Sequence, residues 1–76
     1  MNIEQFIIDF ESCFEDTDSS EITPSLIFKE LDEWDSLTML AVIGTCKKVY
    51  NVTVTGTEVR EANTVEDLYH LVLSKK

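Results

Sequence analysis

The chain has few of the residues that break or cross-link a fold. Two Gly and one Pro in 76 residues exclude a collagen-like or linker-like composition. Two Cys do not make a disulfide framework, and Cys13 and Cys46 read as the reduced thiols of a cytoplasmic protein. The single histidine, His70, has no second imidazole to share a metal. No run of about 18 apolar residues is present, so no membrane insertion is expected. No secretory leader is expected either, because Glu4, Asp9 and Glu11 interrupt the first apolar stretch. Bases are scarce: 6 against 15 acids, for a net charge of −9. That balance argues against nucleic acid and against anionic membranes, both of which are bound through Lys and Arg.

The charge is uneven. Residues 1–35 carry 11 acids and one base, Lys29, whereas residues 36–76 carry 4 acids and 5 bases. A basic partner would feel the field of the N-terminal half.

What is present is helical periodicity. Ile3, Phe6, Ile7, Phe10 and Phe14 recur at steps of three and four, with Asn2 as N-cap and Gln5 as its capping-box partner. Residues 16 to about 34 read as a long loop, with one helical turn around residues 25–31. Ile22, Leu26, Ile27, Phe28, Leu31 and Trp34 are expected to pin it to the core. Asp16, Asp18 and Ser20 alternate as in a calcium loop, but Glu21 and Ile27 stand where such a loop needs Gly and Glu. A second helix begins at Asp35 or Ser36 and carries apolar residues around much of its surface; close helix packing is the expected reason for its Gly44. Thr55 with Glu58 predicts a short third helix, and Thr64 with Asp67 predicts a last one that turns Val65, Leu68, Leu71 and Val72 inward. The expected fold is all-α: one domain over residues 1–76, a small four-helix bundle of three long helices and one short one.

Nothing in the chain pairs a nucleophile with a base, and with two glycines there is no phosphate-cradling loop. The chain is not expected to be an enzyme. The residue that stands out is Ser36, between the long loop and an apolar helix. A hydroxyl at the first helical position faces away from the packed stripe, where backbone N–H groups favour an attached anion. Ordinary helix capping explains Asp35-Ser36 equally well on spacing alone.

Leu31-Asp32-Glu33-Trp34-Asp35-Ser36-Leu37 resembles the prosthetic-group site of acyl carrier proteins, whose Asp-Ser-Leu serine carries 4′-phosphopantetheine. The similarity runs through essentially all 76 residues: a helix before the motif, Phe28 in the loop, Tyr50 fourteen residues after Ser36, and Asn63-Thr64-Val65 opening the last helix. It implies a free-standing carrier, expected to be a monomer, that a phosphopantetheinyl transferase modifies from coenzyme A at Ser36. Cargo-loading and cargo-processing enzymes would then use the arm's thioester in fatty-acid, polyketide or other specialised biosynthesis.

The resemblance also implies that Asp35 flanks the attachment site and that Leu37 anchors the helix start. An acyl cargo would fold back among Leu40, Ile43, Cys46, Tyr50, Val54, Val59 and Ala62, unless these form a closed core. The second helix carries no acid after Asp35, unlike members that serve fatty-acid synthesis, so docking is expected at Glu30, Asp32, Glu33 and Trp34. Trp34-Asp35-Ser36-Leu37 is also similar to D-alanyl and free-standing peptidyl carriers, which makes an aminoacyl cargo the alternative. A plain helical interaction module is the reading from another class.

Overall fold

In the computed structural model, which describes residues 2–76, the chain forms four α-helices: α1 (Ile3–Glu11), α2 (Ser36–Tyr50), α3 (Gly56–Glu61) and α4 (Val65–Lys75). Among the described residues there is no strand, and no helix is long and apolar enough to cross a membrane. The expected bundle of three longer helices and one short one is therefore the fold.

Every helix starts where a side-chain oxygen accepts from an otherwise orphaned N–H of its first turn. Asn2 accepts from the Gln5 amide at 2.8 Å. Gln5 does not close the expected capping box, because its side chain reaches along the helix to Asp9 instead, at 3.4 Å. The boxes predicted for Thr55 with Glu58 and Thr64 with Asp67 are both complete. α2 stops at Asn51, which takes the left-handed conformation (φ 58°) that Asn tolerates better than most residues. The Asn51 N–H donates to the Lys47 carbonyl at 3.1 Å, and the Val52 N–H donates to that of Cys46 at 3.2 Å.

The core joins Phe6 and Phe10 of α1 to Val42 and Cys46 of α2, Val59 of α3, and Val65, Leu68 and Val72 of α4. Val52 and Val54 are buried too, although the segment that carries them is no strand. Asn51, Thr53 and Thr55 between and beside them are exposed, as in a connection pressed against the core from one side. An aromatic chain runs through the centre: Phe6 packs on Phe10, Phe10 edge-on against Phe28 at 5.5 Å, and Phe28 edge-on against Trp34 at 4.8 Å. Such pairs add about 0.5–1.5 kcal/mol each beyond the area they bury. The chain of rings ends one residue before Asp35, so core packing reaches directly to the start of α2.

The long connection contains two 3-10 turns, Ser19–Glu21 and Phe28–Glu30, rather than the single turn expected around residues 25–31. Ile22 and Phe28 are buried, with Leu26, Leu31 and Trp34 packed against the core, but Ile27 turns outward and takes no part in pinning it. Backbone bonds complete the attachment. The Val65 N–H donates to the Leu26 carbonyl at 3.1 Å and the Glu66 N–H to that of Pro24 at 2.9 Å. The loop thus satisfies donors at the start of α4 that no intrahelical partner can reach. Gly44 does not mark a close helix approach: a Cβ built there would meet nothing within 4 Å.

Candidate functional site

Ser36 is the first residue of α2 and is exposed. Asp35 is the N-cap, in extended geometry, and its carboxylate accepts from the Thr38 N–H at 2.8 Å. That bond holds the Asp35 carboxyl below the usual carboxylate range. The same turn is tied from below. Thr38 is buried, and its hydroxyl donates to the Glu33 carbonyl at 3.0 Å. Ser36 has no hydrogen-bonding partner among the described residues, so its hydroxyl is presented on a rigid turn.

Several expectations about its neighbours need correcting. Leu37 is not an inward anchor: it is 75% exposed. The start of α2 is held by the Asp35 cap, the Thr38 bond and Trp34. Leu40 is likewise 59% exposed and cannot line an internal slot. Both lie on a side of α2 that no other helix covers, since the α2 positions in the core are Val42 and Cys46. Of the remaining slot positions, Cys46, Val54, Val59 and Ala62 are buried in the core cluster, with Ile43 and Tyr50 packed at its edge. Tyr50 faces α1, where its hydroxyl donates to Asp9 Oδ2. Burial and that bond push its phenol upward.

The acids before Ser36 also divide. Glu30 and Asp32 are exposed, whereas Glu33 is half-buried and fully occupied. Its carboxylate accepts from the backbone N–H groups of Glu15, Asp16 and Thr17 and from the Thr17 hydroxyl. These bonds, that from Glu15 foremost, hold the Glu33 carboxyl below its ordinary value. Glu33 is therefore a loop staple rather than a free docking charge. Trp34 is half-buried against Phe14 and Phe28, with only part of its ring left to meet a partner. Glu33 is an unremarkable acid in a charge run; no local signal announces sixteen to eighteen residues of loop closed on its side chain.

Two depressions flank the start of α2. One, of about 280 Å³, is bordered by Glu15, Glu33, Asp35 and Leu37. The other, of about 290 Å³, is lined by Trp34, Asp35, Ser36, Met39 and Arg60. Ser36 opens onto the second. The sequence reading missed Arg60, because nothing in the local pattern brings the side of α3 to the start of α2. That residue is the one arginine in the chain.

Neither thiol is activated. Burial raises the Cys13 thiol and pushes that of Cys46 up to about 11. Cys13 Sγ lies 3.4 Å from the Thr45 hydroxyl and is half-buried, whereas Cys46 is buried. His70 is exposed on α4. Comparison of the chain with protein-family models, curated proteins and solved structures finds no match.

Proposed function

We propose that the protein is a free-standing carrier that holds its cargo on a 4′-phosphopantetheine arm attached to Ser36. One observation carries the reading: an exposed, unpartnered hydroxyl at the first position of the longest helix, on a turn fixed by Asp35, Thr38 and Trp34. A modifying enzyme needs such a hydroxyl accessible and repeatably oriented. The residues present fit the group. Ser36 supplies the oxygen at the positive end of the α2 dipole, and the adjoining depression leaves room for an arm to lie against Trp34 and Met39. When bound, the arm supplies a terminal thiol that carries cargo as a thioester.

The protein's own part is presentation. In the transfer from coenzyme A, Ser36 Oγ forms a bond to phosphorus while the pyrophosphate bond breaks, releasing the adenosine half; the serine proton goes to the transferase or to water. Asp35 holds the turn and is engaged with the Thr38 N–H, so it is a positioning residue. Exposed Leu37 and Leu40, followed along α2 by Ala41 and Gly44, offer partner enzymes a largely apolar approach beside the arm. Glu30 and Asp32 add negative charge for steering.

Burial of Cys46, Val54, Val59 and Ala62 in the core favours a second form of the reading, in which the cargo is short or polar, such as an aminoacyl group, and stays outside the bundle. The deciding experiment is incubation with coenzyme A and a promiscuous phosphopantetheinyl transferase, followed by intact mass. A gain of one phosphopantetheine, absent in Ser36→Ala, is expected. No gain with several transferases would leave a helical interaction module.

A further inference from the structure

We propose that Arg60 is the anion-binding residue for the phosphodiester on Ser36. The inference rests on the carrier reading and adds to it a specific partner for the arm's charge.

The chemistry of the surroundings calls for one. A phosphodiester on Ser36 is an anion placed beside Asp35, at the border of the segment that carries 11 of the chain's 15 acids. On one side of α2 the depression is bordered by the carboxylates of Glu15, Glu33 and Asp35, which repel it. The depression onto which Ser36 itself opens is lined by Arg60, by the apolar side chains of Trp34 and Met39, and by Asp35 as its one carboxylate. Cation and hydroxyl thus share one concavity, whose apolar lining suits the uncharged part of the arm.

The backbone that carries Arg60 is anchored, and its guanidinium is unengaged among the described residues. Its backbone is fixed on both sides: Val59 is fully buried, and Lys29 Nζ donates to the Arg60 carbonyl at 2.5 Å. Its guanidinium folds back along α3 toward Gly56, lying 3.8 Å from where a Cβ on that glycine would sit, beside the Met39 thioether. The ion pair among the described residues is Lys75 with Glu58, at 2.9 Å, so the Arg60 guanidinium is left unpaired. Lys29, the base of the acidic half, spends its ammonium on the Arg60 carbonyl. A guanidinium presents a planar set of donors suited to two phosphate oxygens at once, which a lysine ammonium does not.

The test compares wild type, Arg60→Gln and Arg60→Lys, each treated with coenzyme A and transferase and weighed before measurement. All three are expected to gain the arm, since Arg60 is exposed and its carbonyl bond survives any side chain. In wild type the Arg60 Nε–H resonance should then shift between the unmodified and modified protein. The shift should fade as salt approaches 1 M, where the screening length is about 3 Å. The phosphorus resonance of the diester should move in Arg60→Gln and move less in Arg60→Lys. A full mass gain with an unmoved Nε–H resonance and the same phosphorus resonance in all three proteins would overturn the role of Arg60 and leave the carrier reading intact. No mass gain in any of them would remove both.

Discussion

Glu33 and Thr17, sixteen residues apart, are joined twice through one carboxylate oxygen: the Thr17 N–H donates at 2.9 Å and the Thr17 hydroxyl at 2.8 Å. With the bonds from Glu15 and Asp16, one acid gathers the turn after α1 and fastens it to the segment that leads into Ser36. Replacing the charged acceptor by an amide weakens all of these bonds together. Glu33→Gln is therefore expected to lower the melting temperature and to speed hydrogen exchange at the amides of residues 15–17 more than elsewhere. Unchanged exchange there would mean that the staple contributes nothing in solution.

The same bonding sets the acid limit of stability. Glu33, Asp35, Glu58 and Asp67 are all held below their ordinary values, in each case foremost by a backbone N–H. A carboxylate with a depressed folded value stabilises the fold above its unfolded value, about 3.9 for Asp and 4.3 for Glu, and that contribution is lost as pH falls through the folded value. Stability against urea should hold steady from neutral pH to about pH 5 and drop below it. Glu33→Gln should flatten that drop; an identical acid profile would exclude Glu33 as a source.

Gly44 offers the opposite test. It sits within α2, is exposed, and has open space where a Cβ would go. Gly44→Ala should stabilise the protein by up to about 1 kcal/mol through helix propensity alone. Urea denaturation that shows a loss would contradict the open space around that position.

Phe28 links the core to the approach to Ser36. It is fully buried and meets both Phe10 and Trp34 edge-on. Phe28→Ala is expected to cost about 3–5 kcal/mol, and Phe28→Leu less. Trp34 fluorescence should shift to the red in the alanine variant as the ring loses its apolar neighbour. A native emission spectrum at full loss of stability would separate the two residues.

The cysteines provide a count of thiols. Burial raises both, Cys46 to about 11, so a disulfide-exchange reagent at neutral pH should react slowly with the unmodified protein. Half-buried Cys13 should react before buried Cys46. On the proposed carrier reading, modification of Ser36 should add one thiol that reacts at once. Two rapidly reacting groups in the unmodified, folded protein would contradict the packing around α1 and α2.

Much of this was legible in the order of residues. The steps of three from Ile3 to Phe6 and from Ile7 to Phe10 point to a helix that buries one side. That helix ends at Glu11, however, and Phe14, expected on the same stripe, is buried from the segment beyond it. Thr55 with Glu58 and Thr64 with Asp67 mark helix starts through bonds that span only three residues, so local sequence suffices. Asp35 before Ser36 marks the start of α2 for the same reason.

What the tertiary structure decided lies in contacts between segments far apart in the chain. A side chain on a helix with apolar residues on several faces faces inward or outward according to where neighbours arrive, and here none arrives over Leu37 and Leu40. Glu33 became a staple because the turn after α1 presents three N–H groups to it, and Arg60 came to share a hollow with Ser36 because α3 packs beside α2. Periodicity and capping depend on neighbours within about one helical turn. Which exposed charges meet, and which apolar residues stay wet, depends on how whole helices are set against one another, and no local pattern encodes that arrangement.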